Sequence, residues 1–197
     1  MVYAWPASAS QVKLEQGLLI LKVQTLPSMP RTEIRQQARK ALKEALAMLL
    51  DYPVTEIEFE SQPGQAIQLL HPKLNIGLSI SHDHGMSLVA INMNGKIGVD
   101  LMTLNSSPAI NEIHTLATDY LGDKTAEYIA QLPSALQQEA FAKEWTALEA
   151  RIKCNGEALA EWNIVKINLA NINSRALEMP KGYVATVAFS TSPTSSL

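Results

Sequence analysis

The chain has 197 residues, 47% of them apolar, and a formal net charge of −3 at neutral pH. These values predict one compact domain, or two small halves that share a core, and give no global signal for binding to nucleic acid. The only cysteine, Cys154, excludes an intramolecular disulfide and a multi-thiolate metal site. The sequence shows no secretory signal and no apolar run long enough to span a bilayer, so we expect a soluble cytoplasmic protein that does not bind membranes.

The first part of the chain predicts short strands around one long helix. Residues 18–23 (LLILKV) predict a strand, and a helix follows from about Thr32 to Leu50. This helix has an apolar stripe and a basic flank at helical spacing: Ile34, Ala38, Leu42, Leu46 and Leu49 form the stripe, and Arg31, Arg35 and Arg39 form the flank. Further strands are predicted at 55–60, 66–70, 75–81, 86–91 and 96–101. Asn94-Gly95 predicts a two-residue hairpin turn between the last two of them.

The second part predicts mainly helices. One helix runs from Ala109 to about Leu121, another from about Ser134 to Glu157, and closing strands follow at 163–169 and 182–189. The tail 191–197 is polar, and we expect it to be disordered. Hairpins combined with long helices favour an α+β fold. Because the order of strands and helices is coarsely similar before and after Ser106, we expect two related halves, 1–105 and 106–190.

One acidic residue stands where an apolar residue is expected. In WTALEARIKCNG (145–156), Trp145, Leu148 and Ile152 form the apolar stripe of a helix, and Glu149 falls on the same stripe. Burying an unpaired carboxylate costs several kcal/mol or shifts its ionisation. The simplest interpretation is an i, i+4 ion pair with Lys153 on a partly exposed face. The apolar neighbours of Glu149 weaken that interpretation.

A second acidic residue lies near the end of a predicted strand. Alternation places Asp100 on the face opposite Val99, and the simplest interpretation is the polar exit of the strand. His82 and His84 form an H-x-H pair that Asp83 or Asp100 could complete as a metal site, although a polar loop is the favoured interpretation. If the fold brings Asp100 together with the acid of the later helix, with no lysine between them, the two carboxylates would suit a hard cation such as Mg²⁺.

Three blocks of the sequence resemble the 4′-phosphopantetheinyl transferase family. LSISHDHGMSLVAI is similar to the family's F-S-I-S-H-S block with its following strand, and IGVDLM to its (I/V)-G-(I/V)-D-(I/L)-E block. FAKEWTALEARIKCNGEAL is similar to the helix F-x-x-x-W-x-x-K-E-A-x-x-K-x-x-G. The basic helix and the closing strand GYVATVAF also resemble the family, so that the resemblance covers residues 30 to 189.

The resemblance implies transfer of the 4′-phosphopantetheine arm of coenzyme A to a serine of an apo acyl or peptidyl carrier protein, with release of 3′,5′-ADP. It also implies an α+β pseudo-two-fold fold with the site in the cleft between two halves, which has no need of a second chain, so we expect a monomer. Asp100 and Glu149 would bind Mg²⁺, and together with Lys153 they would be the catalytic residues. Coenzyme A would contact the positions that match the family's phosphate-binding residues: Ser81, His82, Lys153, Arg31, Arg35, Arg39 and His71.

The chain departs from the family pattern at three positions. Met102 replaces a glutamate found in many members, Leu148 replaces the lysine of K-E-A, and His71 stands in place of the lysine of G-K-P. Each change removes a charge or makes it dependent on pH. They motivate an alternative function, that of a non-catalytic relative that binds coenzyme A or a carrier protein without turnover. A weaker alternative is an unrelated metal hydrolase built on His82, His84 and Asp100.

Overall fold

The structure is a computed structural model that describes residues 1–7, 12–60, 66–157, 159, 161 and 172–190. The strands in these ranges are β1 (Tyr3–Ala4), β2 (Leu18–Gln24), β3 (Glu58–Glu60), β4 (Gln68–His71), β5 (Gly77–Asp83), β6 (Met86–Asn92), β7 (Ile97–Thr103), β8 (Asn173–Ala176) and β9 (Tyr183–Phe189). The helices are α1 (Arg31–Leu50), α2 (Ile110–Leu116), α3 (Asp123–Gln131) and α4 (Ser134–Asn155), and one π-helical turn at Ala117–Leu121 continues α2.

The strands form three sheets with helices packed against them. The first sheet has the order β1-β2-β6-β5, the second pairs β3 with β4, and the third has the order β7-β9-β8. All these pairs are antiparallel except that of β1 with β2. The predicted mixed α+β class is therefore confirmed. The predicted strand at 163–169 and the predicted tail 191–197 lie outside the described residues.

Helix α1 packs on the first sheet through small residues. Ala38, Ala41, Leu42, Ala45 and Leu46 are buried and form one core cluster with residues of β2, β5 and β6. Alanines at this face let the helix lie close to the sheet, and the leucines fill the remaining space. The predicted stripe is correct at its centre, whereas its outer residues Ile34 and Leu49 are only half buried.

The predicted hairpin at Asn94-Gly95 is wrong. Strands β6 and β7 belong to different sheets, and β6 instead forms its hairpin with β5, across a turn at His84-Gly85. A type I′ turn needs positive φ at both central residues, and Asn94 does not adopt it, whereas Gly85 has φ +76°. The buried Asn92 side chain donates hydrogen bonds to the carbonyl oxygens of Lys96 (2.9 Å) and Ser190 (3.0 Å), which directs the chain into the third sheet.

Helix α4 lies against β7 and β9 and approaches β7 most closely at one glycine. A methyl group at Gly98 would lie 2.0 Å from the carbonyl oxygen of Ala150 and 2.4 Å from the amide nitrogen of Cys154. The hydroxyls of Thr146 and Thr186 also meet across this contact, 3.1 Å apart. The position of α4 over the strand is therefore fixed by backbone-to-backbone contact, which no larger residue at 98 would allow.

Sequence patterns missed three short elements. Helix α3, strand β1 and strand β8 were not predicted, while the helix predicted from Ala109 to Leu121 corresponds to α2 and its π-helical turn. The long helix predicted from Ser134 is confirmed, and it ends before Gly156, which has φ +75°. None of the described helices has the length and apolar character needed to cross a membrane.

Candidate functional site

A cavity of about 610 Å³ opens between α1, the β5–β6 hairpin, β7 and α4. Its walls come from both parts of the chain, since α1, β5 and β7 precede residue 105 and α4 follows it. Six of the predicted site residues line it: Arg31, Ser81, His82, Asp100, Glu149 and Lys153. The two carboxylates singled out in the sequence, Asp100 and Glu149, both line this cavity.

Asp100 is held at the base of the cavity by two donors. It is 7% exposed, and the Ser81 hydroxyl donates a hydrogen bond of 2.9 Å to its Oδ1. The Lys153 ammonium lies 2.6 Å from the same Oδ1 and also 3.4 Å from the carbonyl oxygen of Val99. Strand alternation explains the placement, because Ile97, Val99 and Leu101 enter the core on the opposite face. Asp100 is therefore a structured, ion-paired carboxylate and not the polar exit of a strand.

Glu149 is half buried in the wall formed by α4. Burial, which disfavours the charged form, raises the pKa of the Glu149 carboxyl; the nearby Lys153 opposes the rise and Asp100 adds to it. A carboxyl group with a raised pKa is a better proton acceptor when it is ionised. The arrangement is therefore suited to proton transfer as well as to cation binding.

The apolar stripe of α4 packs differently from the sequence prediction. The sequence predicts Trp145, Leu148 and Ile152 on one apolar stripe of the helix, with Glu149 on the same stripe. Phe141, Leu148 and Ile152 pack instead in a cluster with α2, α3 and the π-helical turn. A separate row at four-residue spacing, Trp145, Glu149 and Lys153, lines the cavity. Glu149 thus lies beside the apolar stripe, on the row that borders the cavity.

His82 is a neutral imidazole at physiological pH. Its Nδ1 lies 2.8 Å from the Ser87 hydroxyl. Burial, and then the positive charges of Arg35, Lys153, Arg31 and Arg39 in decreasing order, lower the pKa of His82 to about 4. The imidazole therefore does not supply the positive charge that we expected of it. The same charges make this side of the cavity attractive to an anion.

We expect His82 to make stability depend on pH. Its pKa is about 4 in the folded chain, against an ordinary value of 6.5, so below pH 6.5 the unfolded chain binds the proton more readily. Stability should therefore fall as pH is lowered towards 4, by roughly 2 kcal/mol between pH 7 and pH 5. Urea unfolding at pH 7 and pH 5 should show that His82→Gln loses about 2 kcal/mol less stability than wild type over this range. The variant His114→Gln, at an exposed histidine, should lose as much as wild type. Equal losses in all three proteins would contradict the assignment.

Three predicted coenzyme A contacts do not line the cavity. Arg35 and Arg39 are exposed on α1, near enough to influence His82 electrostatically. His71 belongs to β4, where its Nε2 lies 2.9 Å from the Tyr52 hydroxyl. The cavity therefore includes Arg31 of the three arginines and excludes the histidine at the family's lysine position.

The H-x-H zinc hypothesis finds no support in the structure. His84 and Asp83 do line the cavity with His82. Within the described ranges, however, no three histidine, cysteine or acidic side chains come together in a way that could hold a metal ion. Asp83 instead accepts a hydrogen bond from the amide of Thr103, and the Tyr183 hydroxyl donates to the His84 carbonyl at 2.8 Å. These contacts fasten the β5–β6 turn to the third sheet.

The structure shows the surroundings of two residues that differ from the family pattern, Met102 and Leu148. Met102 lies two residues after Asp100 on the same strand face, lines the cavity and packs against the apolar cluster under α4. Leu148 is only 8% exposed and belongs to that cluster itself. Position 102 therefore borders the site, whereas position 148 contributes to the core.

Leu148→Lys should destabilise the chain and restore no site function. The change removes a packed leucine and places an ammonium group among apolar side chains, which should cost about 3 kcal/mol. Urea unfolding would measure the loss. Leu136→Lys is the matched control on the same helix, because Leu136 is 49% exposed, and it should change stability little. Equal stability of the two variants would show that position 148 is not a packing position.

Sequence reasoning missed Trp145 as part of the cavity wall, having placed it in the core stripe. Its ring packs at an edge against Tyr120, with centroids 5.6 Å apart, and tilted against Phe141 at 5.3 Å. The i, i+4 spacing from Glu149 was the available signal, since residues four apart share a helix face. The site is thus a cavity lined by three carboxylates, one ammonium group, one guanidinium group and an aromatic wall.

Comparison with known proteins agrees with this class of site. Residues 96–191 match the sequence profile of the 4′-phosphopantetheinyl transferase superfamily. This region contains β7 with Asp100 and α4 with Glu149 and Lys153. The recognition made from the three sequence blocks is confirmed in this region, where the chain is similar to the 4′-phosphopantetheinyl transferase superfamily.

Two curated relatives are similar over part of their length. One is 4′-phosphopantetheinyl transferase HetI of Nostoc sp. (strain PCC 7120 / SAG 25.82 / UTEX 2576), 29% identical over 91 residues, which are 46% of this chain and 37% of the relative. The other is "Putative 4′-phosphopantetheinyl transferase slr0495" of Synechocystis sp. (strain ATCC 27184 / PCC 6803 / Kazusa), 24% identical over 123 residues, 62% of this chain and 49% of the relative. The matches thus span less than half of each relative.

Proposed function

We propose that the chain transfers the 4′-phosphopantetheine arm of coenzyme A to a serine of an apo acyl or peptidyl carrier protein and releases 3′,5′-ADP. The observation that carries this proposal is the meeting of Asp100, Glu149 and Lys153 in one cavity beside a basic helix. The superfamily match of residues 96–191 supports phosphopantetheinyl transfer in general. The geometry of the cavity supports a role for these three residues in that transfer.

The cationic side chains would bind the phosphates of coenzyme A. Lys153 and Arg31 line the cavity, while Arg35 and Arg39 extend the positive charge along the exposed face of α1. We assign the pyrophosphate to Lys153 and the 3′-phosphate to Arg31, with Ser81 and His82 lining the same wall. An arriving phosphate would favour the protonated form of His82, so that binding of coenzyme A should tighten as pH falls.

The donor set of the cavity fits a magnesium ion. Mg²⁺ usually takes one or two protein carboxylates and fills its other positions with water and phosphate oxygens. Asp100 and Glu149 provide two carboxylates; burial is the main cause of the raised pKa of Glu149, and the charge of Asp100 adds to it. We propose that these two residues would hold the ion. When bound, it would neutralise negative charge on the pyrophosphate and on the leaving 3′,5′-ADP.

The transfer needs one bond made, one broken and one proton moved. The carrier serine oxygen bonds to the phosphorus that bears the pantetheine arm, and the bond from that phosphorus to the oxygen of the leaving 3′,5′-ADP breaks. The Glu149 carboxylate would accept the proton of the serine hydroxyl, since its raised pKa makes it a suitable base. Lys153 would hold the pyrophosphate in position as a point charge.

The decisive experiment is a transfer assay. The chain is incubated with apo carrier protein, coenzyme A and Mg²⁺, and the carrier is examined by mass spectrometry for the added phosphopantetheine mass. Binding of coenzyme A without this mass would favour the second function, a non-catalytic relative that binds coenzyme A or a carrier protein. The apolar setting of Met102, where many members have a carboxylate, is the observation that supports this alternative.

We further propose that the two parts of the chain are related by a pseudo-two-fold axis and that a single chain is active in the cytoplasm. Each part contributes one long helix that packs on antiparallel strands, α1 on β2 and β6, and α4 on β9 and on β7 of the first part, which supports the relation. The cavity draws its walls from both parts of one chain, which supports a monomer.

Met102→Glu should strengthen cation binding in the absence of coenzyme A. The new carboxylate would stand on the same strand face as Asp100, and affinity for a hard cation rises with the number of carboxylates. Titration with Mn²⁺ should show tighter binding than in wild type. The neutral Met102→Gln, similar in size, is the control and should bind Mn²⁺ as the wild type does. Unchanged affinity in Met102→Glu would place position 102 outside the cation's surroundings.

A further inference from the structure

One oxygen of Asp100 carries a contact that a bound cation would disturb. Oδ1 lies 2.6 Å from the Lys153 ammonium and accepts a second hydrogen bond of 2.9 Å from Ser81. The Asp100 side chain is 11% exposed and that of Lys153 is 32% exposed. Both residues line the cavity, and Lys153 is the more exposed partner of this ion pair.

The same ammonium group is within electrostatic reach of the second carboxylate. Lys153 follows Glu149 by four residues on α4, and its charge lowers the pKa of Glu149 against the effects of burial and Asp100. Together, the two carboxylates and the ammonium carry one net negative charge. Without the ammonium they would carry two, and attraction of a divalent cation would rise accordingly.

We propose that Lys153 is an exchangeable counter-ion of Asp100, which keeps a divalent cation weakly bound until the phosphates of coenzyme A draw the ammonium away. The inference rests on the proposed function, because it assigns the exchange to the same cavity. Lys153 and Arg31 of the basic helix line the same cavity, so a pyrophosphate bound there would contact the Lys153 ammonium. Asp100 then loses its ammonium partner and takes the cation in its place.

Exchange of this kind makes the two ligands cooperative. If coenzyme A raises the affinity for the cation, the cation must raise the affinity for coenzyme A by the same factor. The pair of ligands would then assemble together, and Asp100 would remain paired with Lys153 until both are present. Leaving a buried carboxylate without any partner is costly, which gives the counter-ion a physical reason to exist.

The test uses Mn²⁺ alone, measured by the electron paramagnetic resonance signal of the free ion, on the full chain. Lys153→Gln keeps an N–H donor for Asp100 and removes only the charge, so it should bind Mn²⁺ about tenfold more tightly than wild type. Lys153→Arg keeps the charge and should bind like wild type. Ser81→Ala removes the other donor to the same oxygen without changing charge, and it should show no tenfold gain.

A second titration with saturating coenzyme A completes the test. Coenzyme A should raise the affinity of wild type for Mn²⁺, and it should raise that of Lys153→Gln by a smaller factor. Thermal unfolding of each variant shows that the comparison concerns folded protein, and Lys153→Met serves as a second charge-free variant. The proposal is overturned if a folded Lys153→Gln binds Mn²⁺ no more tightly than wild type, or if Lys153→Arg gains as much.

Failure of this proposal is distinguishable from failure of the proposed function. If wild type adds phosphopantetheine to a carrier protein but Lys153→Gln shows no gain in Mn²⁺ affinity, the transfer function stands and the counter-ion exchange falls. If Lys153→Gln gains affinity but wild type leaves the carrier mass unchanged, the exchange stands as a property of a coenzyme A-binding protein and the transfer function falls.

Discussion

Glu149→Gln is expected to reduce phosphopantetheine transfer by at least about a hundredfold while the chain stays folded. The change removes the proposed proton acceptor and one of two carboxylates proposed to hold the cation, and a general base alone contributes 10²–10⁴-fold. Stability should be equal or slightly higher, because burial already disfavours the charged form of Glu149 and glutamine carries no charge. Rates come from mass spectrometry of the carrier protein, and stability from thermal unfolding.

Glu144→Gln is the matched control on the same helix. Glu144 is exposed, and the cavity walls do not include it. Its substitution should leave both transfer and stability close to wild type. If Glu149→Gln keeps a rate within a few-fold of wild type, Glu149 is neither the base nor a cation ligand. Another residue would then have to take these roles. Loss of folding in Glu149→Gln would instead show that its charge supports packing.

The parts of the fold that were predictable are those with strong periodicity. Strand β2 and the long helices α1 and α4 show regular apolar spacing over many residues, and the structure confirms all three. The short strands β1 and β8 and helix α3 were missed. Each depends on neighbours that lie far away in the sequence: β1 pairs with β2, and β8 pairs with β9. Short segments carry too little periodic signal to be recognised locally.

The hairpin error shows how tertiary structure can override a local turn signal. Asn94-Gly95 is a strong sequence signal for a tight turn, yet the chain leaves one sheet there and enters another. The deciding contacts are the hydrogen bonds from Asn92 to the carbonyls of Lys96 and Ser190, 98 residues apart in the second case. No pattern within ten residues of the turn contains that information. Asp100 nevertheless lies next to β5, because β5 packs beside β7.

The sequence named the residues of the candidate site but did not predict how their side chains are paired. Sequence blocks singled out Asp100, Glu149 and Lys153, and the structure places all three around one cavity. The pairing of Lys153 with Asp100 was not expected, because an i, i+4 partner on the same helix, Glu149, was the obvious one. The lowered pKa of His82 was equally hidden, since it results from burial and from charges on α1 and α4. Both depend on the packing of separate elements.

Gly98→Ala is expected to have the largest effect on folding and site together. Its methyl group would meet the carbonyl oxygen of Ala150 at 2.0 Å and the amide nitrogen of Cys154 at 2.4 Å, and backbone atoms cannot rotate away as a side chain can. Helix α4 would have to move off β7, at a cost of about 3 kcal/mol or more. Since Glu149 and Lys153 stand on α4 and Asp100 on β7, the same movement would separate the site residues, and transfer should fall with stability.

Gly156→Ala isolates the effect of the close approach from the general effect of replacing a glycine. Gly156 has φ +75°, so alanine there is strained, but a methyl group would meet nothing within 4 Å. The cost should be about 1 kcal/mol, with transfer retained. Urea unfolding and the mass-spectrometric assay would compare the two variants with wild type. If Gly98→Ala is as stable and as active as Gly156→Ala, the contact between β7 and α4 is looser than described, and the glycine of the G-V-D block does not set the distance between the carboxylates.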